Sequence, residues 1–530
     1  MKKRSIALWA TVLSLASGCK DYLDVNTSPN GPESVSANMY VAPMLHWLVT
    51  SPQLDGRYVG MYTQQWVSTS TATSPYFTWG RMGYDPGSDN GAQQYRDVYW
   101  TFGQNLIDMM TKAEAEQRWD ILGLGYLLKG WGWMVLTDLH GEIIIKEAFD
   151  QTRFTFDFDT QEFAYTEVLR LLDEAIKNLQ RTDGAVDATY LGRTDRIYAG
   201  DRSKWLKLAY GLRAMAKNHL SNKTALYKPD EIIADVDKSL ASNAEDPLLT
   251  YTATAADASS DYNFFGRTRN NHTLYRATVF MVNMLNGTNF GGVVDPRLSR
   301  MIAPAPDGVY RGLDPNTNGF GALTATQQPN NFFGYASTGG FGLPGRYIFD
   351  DKAKIPAITS YSVLQFVKAE AAFKKGDKAT ALTAYRNGVS AHLDFVNSRN
   401  QDNGQTPTQI SATEKSAFLA DLNIVPTDPS KLTISMIMMQ KFIATFGWAP
   451  NEAWMDMRRY HYTDLDPATG KQVYLGFAPP TTLYVDNSGK IAWRIRPRYN
   501  SDYVWNRGGL NAIGGLAADY HTKQPWIFQP

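Results

Sequence analysis

Apolar positions recur at spacings of three and four along several stretches of the chain. In TEVLRLLDEAIKNLQ, Val168, Leu171, Leu172, Ala175, Ile176 and Leu179 form one stripe, which predicts an amphipathic helix with its other face in water. DRSKWLKLAYGLRAMAKNHL repeats the pattern through Trp205, Ala209, Leu212 and Ala216, and Asp201 stands where an N-cap is expected. WDILGLGYLLKGWGWMVLTDL is apolar almost all round, so it predicts a helix enclosed by others. In SVLQFVKAEAAFKKGDKATALTAYRNGVSAHLDFV, Val363, Phe366, Val367 and Phe373 stripe a first helix, Gly376 and Asp377 end it, and Leu382, Tyr385, Val389 and Leu393 stripe a second. Small residues at Ala369, Ala381 and Gly388 let the two axes approach closely.

That last hairpin resembles a tetratricopeptide repeat, because Gly376, Asp377, Ala381, Leu382, Tyr385 and Gly388 stand at its expected offsets. Further helical hairpins are expected near 93–137, 161–220 and 431–460. The fold class expected is mainly α: tetratricopeptide-like hairpins in a right-handed α-superhelix, forming a single domain over 37–530. Between 245 and 350 the periodicity stops. DYNFFGRTRNNHTLYR, LNGTNFGGVVDPRL and NNFFGYASTGGFGLPGRY are rich in Gly, Asn and aromatic residues, and they predict long ordered loops of the kind that carry function.

The N-terminus follows a different logic. Lys2, Lys3 and Arg4 precede an apolar run from Ile6 to Leu15, then Ala16, Ser17 and Gly18 lead to Cys19, the single cysteine of the 530 residues. This order predicts a signal peptide over 1–18 whose apolar run is too short for a permanent membrane helix. The junction resembles a bacterial lipobox, with Leu15 one place further from the cysteine than usual, so Cys19 is the expected lipid attachment site. Two or more acyl chains on it would hold the protein at a membrane stably. Residues 19–36, rich in Asp, Asn, Ser, Pro and Gly, read as a tether.

Composition narrows the chemistry. A lone cysteine leaves no internal disulfide, no Cys-based zinc site and no CxxC pair. A formal net charge of zero gives no footprint for nucleic acid. Phosphate-binding, dinucleotide, serine-hydrolase and HExxH signatures are missing, and the seven histidines never reach metal-ligand spacing. DPNTNG from Asp314 copies the first half of a calcium loop, but its twelfth position is Ala325 where a bidentate Glu is required. Neither cofactor nor metal is expected. Two acidic pairs, Asp157 with Asp159 and Glu142 with Glu147, leave a glycosidase conceivable, although acidic neighbours more often form a solvated face.

Taken in order along the chain, these landmarks resemble the SusD/RagB family of Bacteroidetes outer-membrane lipoproteins. The resemblance rests on Cys19 to Asn26 followed by Ser28-Pro29-Asn30, on VLTDLHGEIIIKEAF, on WLKLAYGLRAMAKNHL and YSVLQFVKAEAAFKKG, and on QKFIATFGWAPNEAWMDMRRYHY with Lys441, Glu452, Trp454, Arg458 and Arg459. RPRYNSDYVWN adds a terminal element with Asn500 and Asp502 where Pro and Glu are more typical. The resemblance implies a binding protein, not an enzyme, which captures oligosaccharides or, in some relatives, peptides at the cell surface. It also implies a partner, a TonB-dependent SusC-like transporter of the outer membrane. A lipid-anchored glycosidase and a scaffold that binds only protein are the competing readings.

A neutral glycan is best held by flat exposed rings with amide or guanidinium donors beside them. Aromatic residues make up 13% of the chain, including 14 Trp and 29 Tyr, so many rings must be core. Two polar, helix-poor stretches combine rings with donors: Trp66, Tyr76, Trp79 and Arg81 in the first, and Tyr262, Phe264, Phe265, Arg267 and Asn270 in the second. These are the ligand-binding residues expected from sequence.

Overall fold

The computed structural model describes residues 35–70, 75–252, 261–269, 271–317, 319–335, 345–402, 405 and 407–530, without the side chains of Pro75 and Tyr76. The expected signal peptide, Cys19 and the tether up to residue 34 lie outside the described residues, as does Asn270.

The chain is mainly α-helical. Its longer helices are α1 (Val41–Tyr62), α2 (Gly103–Ala115), α3 (Trp119–His140), α4 (Gln161–Gln180), α5 (Arg202–His219), α6 (Pro229–Asp237), α7 (Tyr361–Lys375), α8 (Lys378–Arg399), α9 (Ala412–Ala420), α10 (Ile434–Thr445) and α11 (Pro450–Arg459). Helices near one another in sequence pack as pairs: α2 with α3, α3 with α4, α4 with α5, α7 with α8 and α10 with α11. Helix α6 lies against both α5 and α7, and α11 returns to pack on α1. No described helix is long and apolar enough to cross a membrane.

Local chemistry accounts for the helix ends. The Asp201 carboxylate accepts from the backbone N–H of Ser203 and Lys204 and starts α5, while Thr160 and Ser360 cap α4 and α7 in the same way. Gly376 ends α7 at φ +91, a left-handed conformation that only glycine adopts without strain. Asp377 then accepts from Thr380 N–H to begin α8. The stripe residues of α4, from Val168 to Leu179, are buried, and α3 is enclosed along nearly its whole length.

The α7–α8 contact is tight. A Cβ on Gly388 would approach the Phe366 ring to 2.9 Å, closer than packed carbon atoms come, and Ala381 is fully buried. Replacing Ala381 by Leu is expected to overpack this contact and lower stability by about 1–3 kcal/mol. A urea midpoint equal to the parent's would show that the helices can part without penalty, and so that this pair does not brace the scaffold.

The interior also holds charge. Glu370 of α7 takes two bonds from Arg459 of α11, at 2.7 and 2.8 Å, and one from Asn218 of α5 at 2.7 Å. Lys441 of α10 pairs with Glu452 and Asp456 of α11, both at 2.8 Å. His219 of α5 lies between Glu452 at 3.0 Å and Asp138 at 3.3 Å. Burial alone would lower the His219 pKa, but these two carboxylates hold it up at about 9. The network therefore ties α3, α5, α7, α10 and α11 together.

The stretch without periodicity is organised by short pairings. Four short strands, β1 (Trp66–Ser68), β2 (Leu248–Leu249), β3 (Tyr275–Ala277) and β4 (Ile355–Pro356), pair antiparallel as β1 with β3 and β2 with β4. Trp66 stands opposite Ala277 and Ser68 opposite Tyr275.

Candidate functional site

The residues expected to hold ligand do not form a surface. Trp66 is fully buried, edge-on to His272 at 4.7 Å and to Phe265 at 6.0 Å, and its indole N–H donates to the Arg57 carbonyl at 3.0 Å. Trp79 is enclosed between Tyr58 and Tyr62. Tyr262, Phe264 and Phe265 are buried as well. Arg81 lies over the Phe77 ring at 4.8 Å and donates to the Asn316 carbonyl at 3.1 Å, and Arg267 pairs with Asp351 at 3.3 Å. The Tyr76 side chain and Asn270 lie outside the described residues.

This corrects the expectation of an exposed platform on those two stretches. A loop region with no helical stripe has no other source of apolar surface, so its rings must supply their own core. Phe332 and Phe349 stack at 4.2 Å within the same cluster as Trp66, Phe265 and His272.

Exposed rings gather elsewhere. Asp55 of α1 accepts from the backbone N–H of Gln93 at 2.8 Å and Gln94 at 2.7 Å and so caps the short helix Gln93–Arg96. Burial pushes the Asp55 carboxyl up to about 7 even so. The helix runs into a π-helical turn, Asp97–Phe102. Tyr95, Val98 and Phe102 point inward, whereas Trp100 is 67% exposed. The Arg96 guanidinium lies over the Trp100 ring at 4.7 Å, a cation–π contact that holds the indole flat against its own helix.

Two more segments close on this turn. The Tyr99 hydroxyl donates to the Ile144 carbonyl at 2.7 Å and accepts from its N–H at 2.9 Å, which pins the loop after α3. Asp159 accepts from the N–H groups of Ile145 and Lys146, both at 2.9 Å. That loop brings Phe149, Phe154 and Phe156 to one wall, with Phe154 89% exposed. The opposite wall is 498–506, anchored by Arg498 and Asn500 on the Asp89 carboxylate. Trp505 on this wall is 75% exposed. The Asn506 amide bonds both the N–H and the C=O of Phe156, at 2.9 and 3.0 Å, and joins the two walls.

Between them lies an open cleft of about 610 Å³. Trp100, Phe154 and Trp505 rim it, and Tyr95 and Asp502 form part of its floor. Trp100 and Trp505 are the exposed tryptophans among the described residues. Burial pushes the Asp502 carboxyl up to about 6, against Tyr95, Asn506 and Arg498, which favour its ionised form. Exposed large rings are unfavourable in water unless something covers them. Grouped around a concave surface with polar groups between them, they suit a ligand with apolar faces and hydroxyl or amide edges.

Three of the four carboxylates considered for hydrolysis have other partners, and the fourth, Asp157, is exposed. Asp159 holds the loop as described, Glu142 pairs with Arg494, and Glu147 pairs with Arg153 at 2.7 Å. No group of three or more His, Cys, Asp or Glu residues able to hold a metal occurs among the described residues. Sequence reasoning missed Trp100, Phe154, Trp505, Tyr95 and Asp502. One signal was present: in QQYRDVYWTF, Tyr95, Val98, Tyr99 and Phe102 keep helical spacing and Trp100 falls off their stripe.

A family model described as "Starch-binding associating with outer membrane", SusD-like, matches residues 29–480. Among curated proteins no match is found. A SusD/RagB family protein from Bacteroides thetaiotaomicron has a similar structure, with a TM-score of 0.68 and 20% identity over 93% of this chain and 99% of that one. A SusD homolog from Bacteroides fragilis superposes with a TM-score of 0.70 at 18% identity, over 94% and 100% of the two chains. A chitin-binding SusD homolog from Flavobacterium johnsoniae gives 0.68 at 18% identity, over 93% and 98%. The landmarks, the helical scaffold and the family match agree: this chain belongs to the SusD-like family.

Proposed function

We propose that this protein captures oligosaccharides in the cleft rimmed by Trp100, Phe154 and Trp505 and delivers them to a SusC-like TonB-dependent transporter. It does so at the cell surface, held to the outer membrane by lipid on Cys19. The observation that carries the reading is the convergence of three exposed rings on one cleft whose wall also carries Asn500 and Ser501. A pyranose presents C–H groups on its faces and hydroxyls at its rim, so it stacks on rings and hydrogen-bonds between them. Support comes from the starch-binding description of the family and from the chitin-binding relative of similar fold. The role is binding without turnover, in keeping with the starch-binding description of the family.

Calorimetric titration of the purified soluble domain with maltoheptaose and with chitohexaose tests the reading. Saturable binding of at least one, with no new reducing ends after long incubation, is the expected result. Binding of mixed oligopeptides with neither sugar bound would replace glycan by peptide, and new reducing ends would replace capture by hydrolysis.

The anchor has its own test. Cys19→Ala is expected to release the protein from the membrane fraction of a host that lacks the transporter, because no described helix can span a bilayer. An Ala variant that sediments with membranes as the parent does would overturn the lipid attachment.

A further inference from the structure

The charged residues that line the cleft are Arg96, Arg498 and Asp502. Two of them are matched within the protein. Arg498 pairs with Asp89, and the buried Asp502 carboxylate accepts from Tyr95, Asn506 and Ser501. Arg96 stands apart. Its guanidinium lies over the Trp100 ring at 4.7 Å and makes no ion pair or side-chain hydrogen bond with another described residue. Asp97, its neighbour in sequence, is fully buried and turned to Ser51, Gln93 and Thr101. On the loop after α3 the cations are matched too, Lys146 by Asp159 and Arg153 by Glu147.

The contact with Trp100 does not use up the guanidinium. An indole offers a π face and one N–H donor but no lone pair, so the N–H groups of the arginine keep their capacity for oxygen acceptors. Arg96 is half-buried in the lining of the cleft. Low-dielectric walls there strengthen the field of an unmatched charge and draw opposite charge toward it. A planar carboxylate fits the arginine fork with paired bonds that are shorter and stronger than bonds to a neutral oxygen.

We propose that Arg96 is a subsite for the carboxylate of an acidic sugar, so that the cleft prefers glycans with uronate residues to neutral ones. The proposal rests on the cleft being the glycan site and names the class of sugar it takes. The exposed rings hold the C–H faces of the chain, and Arg96 takes the charge beside them. Trp100 keeps the guanidinium in place before the ligand arrives, so little side-chain freedom is lost on binding. A neutral oligosaccharide uses the rings and leaves the charge to water.

The test titrates parent, Arg96→Gln and Trp505→Ala at neutral pH with maltoheptaose, with chitohexaose and with the C6-oxidised form of each, in which the primary alcohols have become carboxylates. Circular dichroism checks the fold of each variant. The parent should bind an oxidised form about three- to tenfold more tightly than its neutral counterpart at low ionic strength. That ratio should shrink toward one as ionic strength rises from about 0.01 M to about 1 M, since the screening length drops from about 30 Å to about 3 Å. Arg96→Gln should bring the two forms together at low salt, whereas Trp505→Ala should weaken both and keep the ratio. If Trp505→Ala loses affinity but the parent does not prefer the oxidised form, or Arg96→Gln keeps the preference, the subsite is wrong and the cleft stands. If Trp505→Ala binds like the parent, or the parent binds none of the four sugars, the cleft reading falls and the subsite falls with it. Should Arg96→Gln fail to fold, Arg96→Lys and the salt series decide. Lysine keeps the charge and loses the fork, so an Arg96→Lys variant with the parent's full ratio, or a parent ratio indifferent to salt, would overturn the proposal.

Discussion

Replacing Glu370 by Ala should lower the unfolding free energy by about 3–5 kcal/mol, more than any surface substitution in this chain. Glu370 and Arg459 are both fully solvent-inaccessible and joined by two parallel bonds. Glu370 also accepts from the Tyr460 hydroxyl and the Asn218 amide, each at 2.7 Å. Alanine leaves the donors of three side chains, Arg459, Tyr460 and Asn218, facing a gap, and Asp456 at 2.5 Å is then the carboxylate left to the Arg459 charge. Removing one side of a buried pair is far more damaging than removing both, so the double change Glu370→Leu with Arg459→Leu should recover part of the loss. The pH dependence carries the same signature. Although burial opposes it, Arg459 holds Glu370 well below the usual carboxylate range, so its contribution is present above about pH 4.3 and is lost as pH falls further. His219 contributes the opposite way, fully below its unfolded value near 6.5 and less as pH rises through about 9. Urea unfolding across this range should show the parent most stable in the mildly acidic window and the Glu370→Ala variant with a shallower acid limb, since Lys441 and His219 hold Glu452 below the usual carboxylate range as well. Equal midpoints for parent and variant would mean that the network does not brace the five helices it joins.

That network explains where sequence reasoning stops. Stripes such as Val168 to Leu179 name the buried face of a helix, and Asp201 and Gly376 mark its ends, because period and capping are local properties. Nothing local says that Glu370 meets Arg459, 89 positions away. Lys441, Glu452 and Arg459 were legible as landmarks, not as one buried cluster. The site was harder still. Rings beside amides at Trp66, Trp79 and Phe265 have the composition of a binding platform, yet the same composition fills a core when a long segment lacks helical stripes. What separates the two is exposure, a tertiary property. The observed cleft joins the turn at 97–102, the loop at 144–156 and the segment 498–506, and no pattern within any one of them announces the other two. Only Trp100 carried a warning, by leaving the stripe of its own helix.

The double variant Trp100→Ala with Trp505→Ala should lose about 2–4 kcal/mol of glycan binding, roughly 30-fold to several hundredfold in Kd. Each ring is exposed and faces the cleft from a different wall, so together they can cover two faces of one chain of sugars or two successive residues of it. Their removal takes away the stacking surface and leaves the polar groups of the wall, such as Asn500 and Ser501, which water can satisfy as well as a ligand does. Stability should hardly change, because neither side chain contributes to the core and exposed substitutions stay within about 0.5 kcal/mol. Arg96 loses its ring partner in the variant and gains solvent instead, a small exchange. The contrasting control is Trp66→Ala, in which the removed ring lies against Phe265, His272 and Phe332. That variant should unfold at lower urea, and any binding it loses follows from the fold. Calorimetry with the bound sugar and circular dichroism, run on all three proteins, separate the two roles. A double variant that binds as tightly as the parent would remove the cleft from consideration, since no other described surface brings exposed tryptophans together.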